Sequence, residues 1–334
     1  MDQSQIVRAL LKPEAYDEEV GSINLVQTHI SFVFLTRNYV YKVKKAVNFG
    51  FLDFTTLEKR RFYCEKEVTL NRRLCGDMYV GVVPINKAET FRINGAGETV
   101  EYAVKMKRLP DETMLNNLLD KGKVDKALIE NIARVIANFH STSETSKSIS
   151  VFGAPSMIAT NWRENFDQTA AYIGKTLTVA TFEKIRRNID EFIQCNSELF
   201  KKRIEEGRIR DCHGDMHSGN IFVADRIYIF DAIEFNDRFR FCDVASDVAF
   251  LAMDLDFKRY IELSNFFIER YIMYSGDKEL LQLLPFYKCY RAYVRGKVSS
   301  FKLDDPTIRS DEKAAVYKDA KEYFKLAATY ALKL

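Results

Sequence analysis

Hydrophobic spacing changes register twice along the chain. From Ser22 to Val47, in "SINLVQTHISFVFLTRNYVYKVKKAV", apolar and polar residues alternate in two or three runs, the pattern of strands with one buried face. "TTLEKRRFYCEKEVTLNRRLCG" then carries a helical spacing through Leu57, Tyr63, Val68 and Leu74, opening at threonine and stopping at Gly76. One long helix is predicted there. Strand character returns in "YVGVVPI", "TFRIN" and "TVEYAVKMKRL", with Gly95 and Gly97 predicting a hairpin turn. Residues 2–12 read as a short amphipathic helix ahead of these strands.

After Pro110 the spacing is helical, in "DKALIENIARVIANFHSTS", "NWRENFDQTAAYI", "TFEKIRRNIDEFIQCNSELFKKRIEEG" and several segments beyond residue 240. Only the short runs "NIFVA" and "RIYIFDAI" interrupt it. The expected fold class is therefore α+β, with a small β-rich N-lobe before a larger, mainly helical C-lobe.

Composition narrows the function. Hydrophobic residues make up 47% and charged residues 29% of 334 positions, ordinary globular usage. Lysine plus arginine number 50 against 47 acidic residues, so neither a nucleic acid nor a membrane surface is an expected partner. The six cysteines never fall as C-x-x-C, which argues against a zinc ribbon, a redox pair or a disulfide framework and for a reducing compartment. No basic start precedes a long apolar run, and no stretch approaches ~20 apolar residues. A cytoplasmic protein is expected.

The chemistry concentrates in "RIRDCHGDMHSGNIFVADRIYIFDAIEFND", residues 208–237. His213, Asp215 and His217 alternate as metal ligands can, but helical or cysteine-paired zinc spacing is missing. A serine hydrolase would need G-x-S-x-G, which "HSGN" does not supply. The third reading is H-G-D-x-x-x-x-N followed by a hairpin ending in aspartate. Phosphoryl transfer uses an aspartate to orient the attacking hydroxyl, an asparagine for metal, and a later aspartate for the magnesium that bridges the phosphates. Asp215, Asn220 and Asp231 stand in that order. Such a site also needs a strand lysine held by a helix glutamate. Lys42 and Lys44 share one face of "NYVYKVKK", and Glu67 lies deeper in the helix than Glu65. Lys42 and Glu67 are the expected pair.

With these residues in place, the chain resembles the aminoglycoside phosphotransferase and choline kinase-like branch of the two-lobed protein-kinase-like fold. More closely, it looks like an uncharacterised bacterial "aminoglycoside phosphotransferase family enzyme" group often fused to an AAA-type ATPase. "THISFVFLTRNYVYKVKKAVNFGFLDFTTLEKRRFYCEKE", "EYAVKMKRLP", "DCHGDMHSGNIF", "IFDAIEFNDRFRFCDVASDVAFLAMDL" and "FYKCYRAYVRGKVSSF" carry the resemblance. It implies a single kinase-like domain with an N-lobe over 1–104, a hinge over 105–109 whose Lys105, Met106 and Lys107 backbone meets adenine, and a C-lobe over 110–334. It also implies ATP and Mg2+ as cofactors, Asp215 as catalytic aspartate, Asn220 and Asp231 as metal ligands, Lys42 with Glu67 as the phosphate-binding pair, and Asp247 and His213 as structural braces. Without G-x-x-x-x-G-K-[ST], an AAA-type ATPase would be a partner in trans.

Two departures matter. The turn near "QTHIS" has no G-x-G-x-x-G, so backbone donors there would serve the phosphates, helped by Thr28 or Ser31, and Lys44 is an alternative phosphate contact. There is also no D-F-G or A-P-E, and Gly214 replaces the kinase arginine, which disfavours a phospho-regulated protein kinase. On "FYKCYRAYVRGKVSSF", Tyr287, Arg291 and Arg295 recur at helical spacing, and with Glu234 they are the expected acceptor contacts. The expected activity is transfer of the γ-phosphate of ATP to a hydroxyl of a small molecule, neutral or anionic rather than an aminoglycoside. The alternatives are a catalytically silent nucleotide-binding module and a kinase acting on protein.

Overall fold

Thr56 caps the long helix through its side chain, which accepts the Lys59 N–H, and Gly76 ends it with φ +52°. A computed structural model describes residues 3–305 and 308–334; Asp2 of the expected first helix lies outside them. Along the chain run α1 (Gln3–Leu10), β1 (Asn24–Gln27), β2 (Ser31–Leu35), β3 (Tyr39–Lys44), α2 (Leu57–Cys75), β4 (Tyr79–Lys87), β5 (Phe91–Ile93) and β6 (Glu98–Lys107). Helices α3 (Leu115–Asp120), α4 (Lys126–Thr142), α5 (Lys147–Ser150), α6 (Pro155–Thr169), α7 (Val179–Cys195) and α8 (Ser197–Glu205) follow. Then come β7 (Ile209–Asp211), β8 (Ile221–Val223), β9 (Ile227–Ile229), α9 (Asp237–Arg240), β10 (Phe241–Asp243), α10 (Val244–Phe257), α11 (Ile261–Ser275), α12 (Leu280–Lys302) and α13 (Ser310–Ala331).

These elements form two units, the chain up to Leu118 with Asn220–Asp237, and Leu119–Gly219 with Arg238 onward. The first unit holds a six-stranded antiparallel sheet in the order β1-β2-β3-β6-β4-β5. Phe34, Tyr41, Val43, Ile85 and Ala103 pack with Ile6 and Leu10 of α1 in one core, and Cys64, Val68 and Cys75 of α2 pack with Tyr79, Val104 and Met106 in another. The Gly95–Gly97 turn corrects the expected hairpin. It joins β5 to β6, but both pair with β4, which lies between them.

Among the described residues, the second unit is helical apart from the short β7–β10 pair. Every residue of α10 from Val244 to Asp256 is buried; most are apolar, and the buried Asp247, Asp254 and Asp256 are hydrogen-bonded. Arg203, fully buried, pairs with Asp243 (2.6 Å) and Asp277 (2.5 Å), and Asp243 also caps α10 by accepting the Ala245 N–H. Among the described residues no helix is long and apolar enough to cross a membrane.

Candidate active site

In the first unit, the period of two in β3 places Lys42 and Lys44 on one face, where both meet Glu67 of α2. Lys42 Nζ lies 2.9 Å from Glu67 Oε1 and 2.6 Å from Asp231 Oδ1. Lys44 Nζ lies 2.7 Å from Glu67 Oε2 and ion-pairs with Glu234. Lys44 and Glu67 are sealed from solvent, whereas the Asp231 side chain is 42% exposed. Glu65 points outward to Arg61. One turn beyond Glu67, Asn71 donates to the Glu67 carbonyl and accepts the Ala232 N–H at 2.9 Å, tying α2 to the segment after Asp231. Asp231 adopts φ +65°, a left-handed backbone uncommon outside glycine and stored where geometry has a purpose.

Electrostatics follow from burial and pairing. Burial alone would raise Glu67, but Lys42 and Lys44 outweigh it and hold the carboxyl below its ordinary range. For Glu234 burial wins over the pull of Lys44, and its pKa is raised. Burial works against the charge of both lysines, yet Asp231 and Glu67 around Lys42, and Glu234 and Glu67 around Lys44, keep them raised. Asn220, also in this unit, is buried, and its carbonyl accepts the Phe230 N–H at 3.0 Å. The Asn220 carboxamide and the Asp231 carboxylate are hard oxygen donors of the kind magnesium takes.

In the second unit, the run from His213 to Ser218 is held by α10 and by its own imidazoles. Asp247 accepts the His213 N–H (2.7 Å) and the Gly214 N–H (2.9 Å). Asp254, two helical turns later, accepts the Ser218 N–H at 2.9 Å. His213 Nδ1 accepts the Asp215 N–H (3.3 Å), and His217 Nδ1 accepts the Gly219 N–H (3.1 Å). Gly214 sits at φ +88°, so a side chain there would strain the loop. Arg291 of α12 donates to the Gly214 carbonyl at 2.8 Å. Burial would raise Asp215, but His217 at 3.6 Å, with Arg295 and His213, more than offsets it and keeps the carboxyl below the usual range. His140, Cys212 and Asp247 bring donor atoms within 4.8 Å of one another, yet His140 already bonds Tyr271 at 2.8 Å and Asp247 serves the loop.

Several expectations need correction. Lys105 and Met106 lie inside β6, paired with β3 on one side and β4 on the other, so their backbone has no free edge for adenine; Lys107 is paired with β3 alone. Ser31 is fully buried, so its hydroxyl is not offered to phosphates, while the exposed Thr28 hydroxyl accepts the Ile30 and Ser31 N–H groups of its own turn. Tyr287 and Arg291 are buried in the helical core and Glu234 is closed against Lys44, which removes all three from acceptor contact. Arg295 remains, its charge acting on Asp215. Asp254 was missed; its signal was a second acid seven residues after Asp247 in a mostly apolar helix.

The chain belongs to the phosphotransferase enzyme family, whose profile matches residues 66–284. It is 33% identical over 277 residues to uncharacterized proteins of Mycobacterium tuberculosis (strain ATCC 25618 / H37Rv) and Mycobacterium bovis (strain ATCC BAA-935 / AF2122/97). The match covers 83% of this chain and 54% of each relative, so the chain spans about half the length of these curated relatives. Among solved structures, a choline/ethanolamine kinase family protein from Mesorhizobium loti matches with a TM-score of 0.52 over 100% of this chain and 99% of that one, at 10% identity. That likeness is one of fold, and it agrees with the expected kinase-like α+β class.

Proposed function

We propose that the chain is a magnesium-dependent phosphotransferase that moves the γ-phosphate of ATP to a hydroxyl of a small, neutral or anionic molecule. The observation that carries this reading is Lys42, shared between a buried helix glutamate and an aspartate that stays exposed, in a chain that also has H-G-D-x-x-x-x-N. Membership of a phosphotransferase family supports it.

The roles follow from the chemistry of each group. Lys42, kept charged by Glu67, neutralises charge on the nucleotide phosphates. Asn220 and Asp231 would hold magnesium, which when bound supplies further neutralisation across the β- and γ-phosphates. Asp215, ionised at neutral pH, accepts a hydrogen bond from the acceptor hydroxyl and orients it for attack. His213, Asp247, Asp254 and Arg291 fix the backbone that aims it. Arg295 adds positive charge beside Asp215, which favours a neutral or anionic acceptor over a polycation.

The test is transfer of labelled γ-phosphate from magnesium-ATP into a cell-extract metabolite pool, read by mass spectrometry beside Asp215→Ala. A phosphorylated small molecule formed only by the intact protein is expected. Asp215→Ala should lower turnover by at least about a hundredfold, the scale of general-base loss, with nucleotide affinity nearly unchanged. Equal turnover in the variant would remove Asp215 from this role, and label entering polypeptide would move the acceptor class to protein.

A further inference from the structure

We infer that Lys44 is a positioning residue, a second lysine that locks α2 and the 231–237 segment in one arrangement whether or not nucleotide is bound. The inference rests on the reading of Lys42 and Asp231 given above and adds a device to it. With one lysine, a single ammonium must serve both the helix glutamate and the phosphates, so the helix depends on the ligand. Here the two oxygens of Glu67 are divided, Oε1 to Lys42 and Oε2 to Lys44. Lys42 can turn toward phosphate and Glu67 stays paired, avoiding the cost of a lone buried carboxylate.

Lys44 itself is not available to a ligand. Its ammonium faces Glu67, Glu234 and the Phe54 ring, 5.0 Å from the centroid, and its side chain has no exposure. Without it, Lys42 alone would pair Glu67 and Asp231, and Glu234 would lose its ion pair. The segment it reaches is the one that carries Asp231, and further ties run alongside. Lys66 pairs with Asp237 at 2.7 Å, the Cys75 thiol donates to the Ile229 carbonyl at 3.0 Å, and Arg60 meets both Glu101 oxygens at 2.9 Å. The lock thus joins β3, the middle of α2 and the metal-binding segment through one nitrogen.

Hydrogen–deuterium exchange on the full chain tests this, with and without magnesium-ATP. Nucleotide should change wild-type α2 exchange by less than about twofold. In the nucleotide-free protein, Lys44→Met should raise exchange in both α2 and 231–237 by about tenfold or more, the scale of losing a charged, buried hydrogen-bonded pair. Lys42→Met should leave α2 exchange near wild type, and Lys44→Arg should restore it. Strong nucleotide-induced protection of wild-type α2, or equal effects of Lys42→Met and Lys44→Met, would overturn the inference. If Lys44→Met does not fold, Lys44→Met with Glu234→Gln, which keeps the buried charge balanced, is read in its place by the same criteria. Calorimetric titration with magnesium-ATP separates the two claims, because absence of binding to wild type removes the phosphotransferase reading while the nucleotide-free contrast still decides the lock.

Discussion

Arg291 and Arg295 stand one helical turn apart on α12, and their surroundings give them different work. Arg291 is buried and donates to the Ser246 and Gly214 carbonyls, so it holds the backbone next to Asp215. Arg295 packs over the Tyr323 ring and directs its charge at Asp215 and Asp254. Arg291→Ala should therefore lower kcat with little change in the acceptor KM. Arg295→Ala should raise the acceptor KM by about ten- to a hundredfold, as expected for losing a hydrogen bond to a charged group worth roughly 1.5–3 kcal/mol. Steady-state kinetics on both variants decides this, and an effect of Arg291→Ala confined to KM would reverse the assignment. Helical spacing in the sequence put Tyr287, Arg291 and Arg295 on one stripe. It could not say what that stripe meets, which depends on packing against α10 and the loop.

At the scale of elements, α10 is the support on which the His213–Ser218 run is strung. Asp247 and Asp254 are seven residues apart, so they project from one side of the helix, the first taking the N–H groups of His213 and Gly214 and the second that of Ser218. Asp254→Ala leaves the Ser218 N–H buried without its acceptor, a cost of about 1–3 kcal/mol. The expected outcome is a lower melting temperature and a fall in kcat with unchanged nucleotide affinity. A fall in stability with normal kcat would show that the loop holds its shape from Asp247 and the imidazoles alone. The element types were legible from periodicity, including the caps at Thr56 and Gly76. Strand order was not, because alternation marks a strand without naming its neighbours. The central place of β6 is therefore a finding of the fold, and with it the loss of Lys105 and Met106 as adenine contacts. Asp254 could have been read from sequence, since an acid inside a mostly apolar, buried helix must find a hydrogen-bond partner.

For the whole molecule, the charges buried in each unit set a common response to acid. In the second unit, burial would raise Asp247, but His140, Arg291 and His213 lower its pKa from 3.8 to about 2. In the first unit, the two lysines likewise hold Glu67 below its ordinary value. A carboxyl whose folded pKa is depressed stabilises the fold above its unfolded pKa and loses that contribution as pH falls through the folded one. For Asp247 the window runs from about 4 down to about 2 and is worth roughly 2 kcal/mol at 1.36 kcal/mol per pKa unit. Glu234 has the opposite sign, since its raised pKa costs stability as pH rises through it. Thermal unfolding followed from pH 7 to pH 2 should show melting temperature falling below about pH 4, and Asp247→Asn should flatten that fall while lowering stability at neutral pH. A wild-type melting temperature constant to pH 2 would mean that folding does not hold these carboxyls below their unfolded pKa, and Asp247→Asn would then leave the shape of the pH profile unchanged.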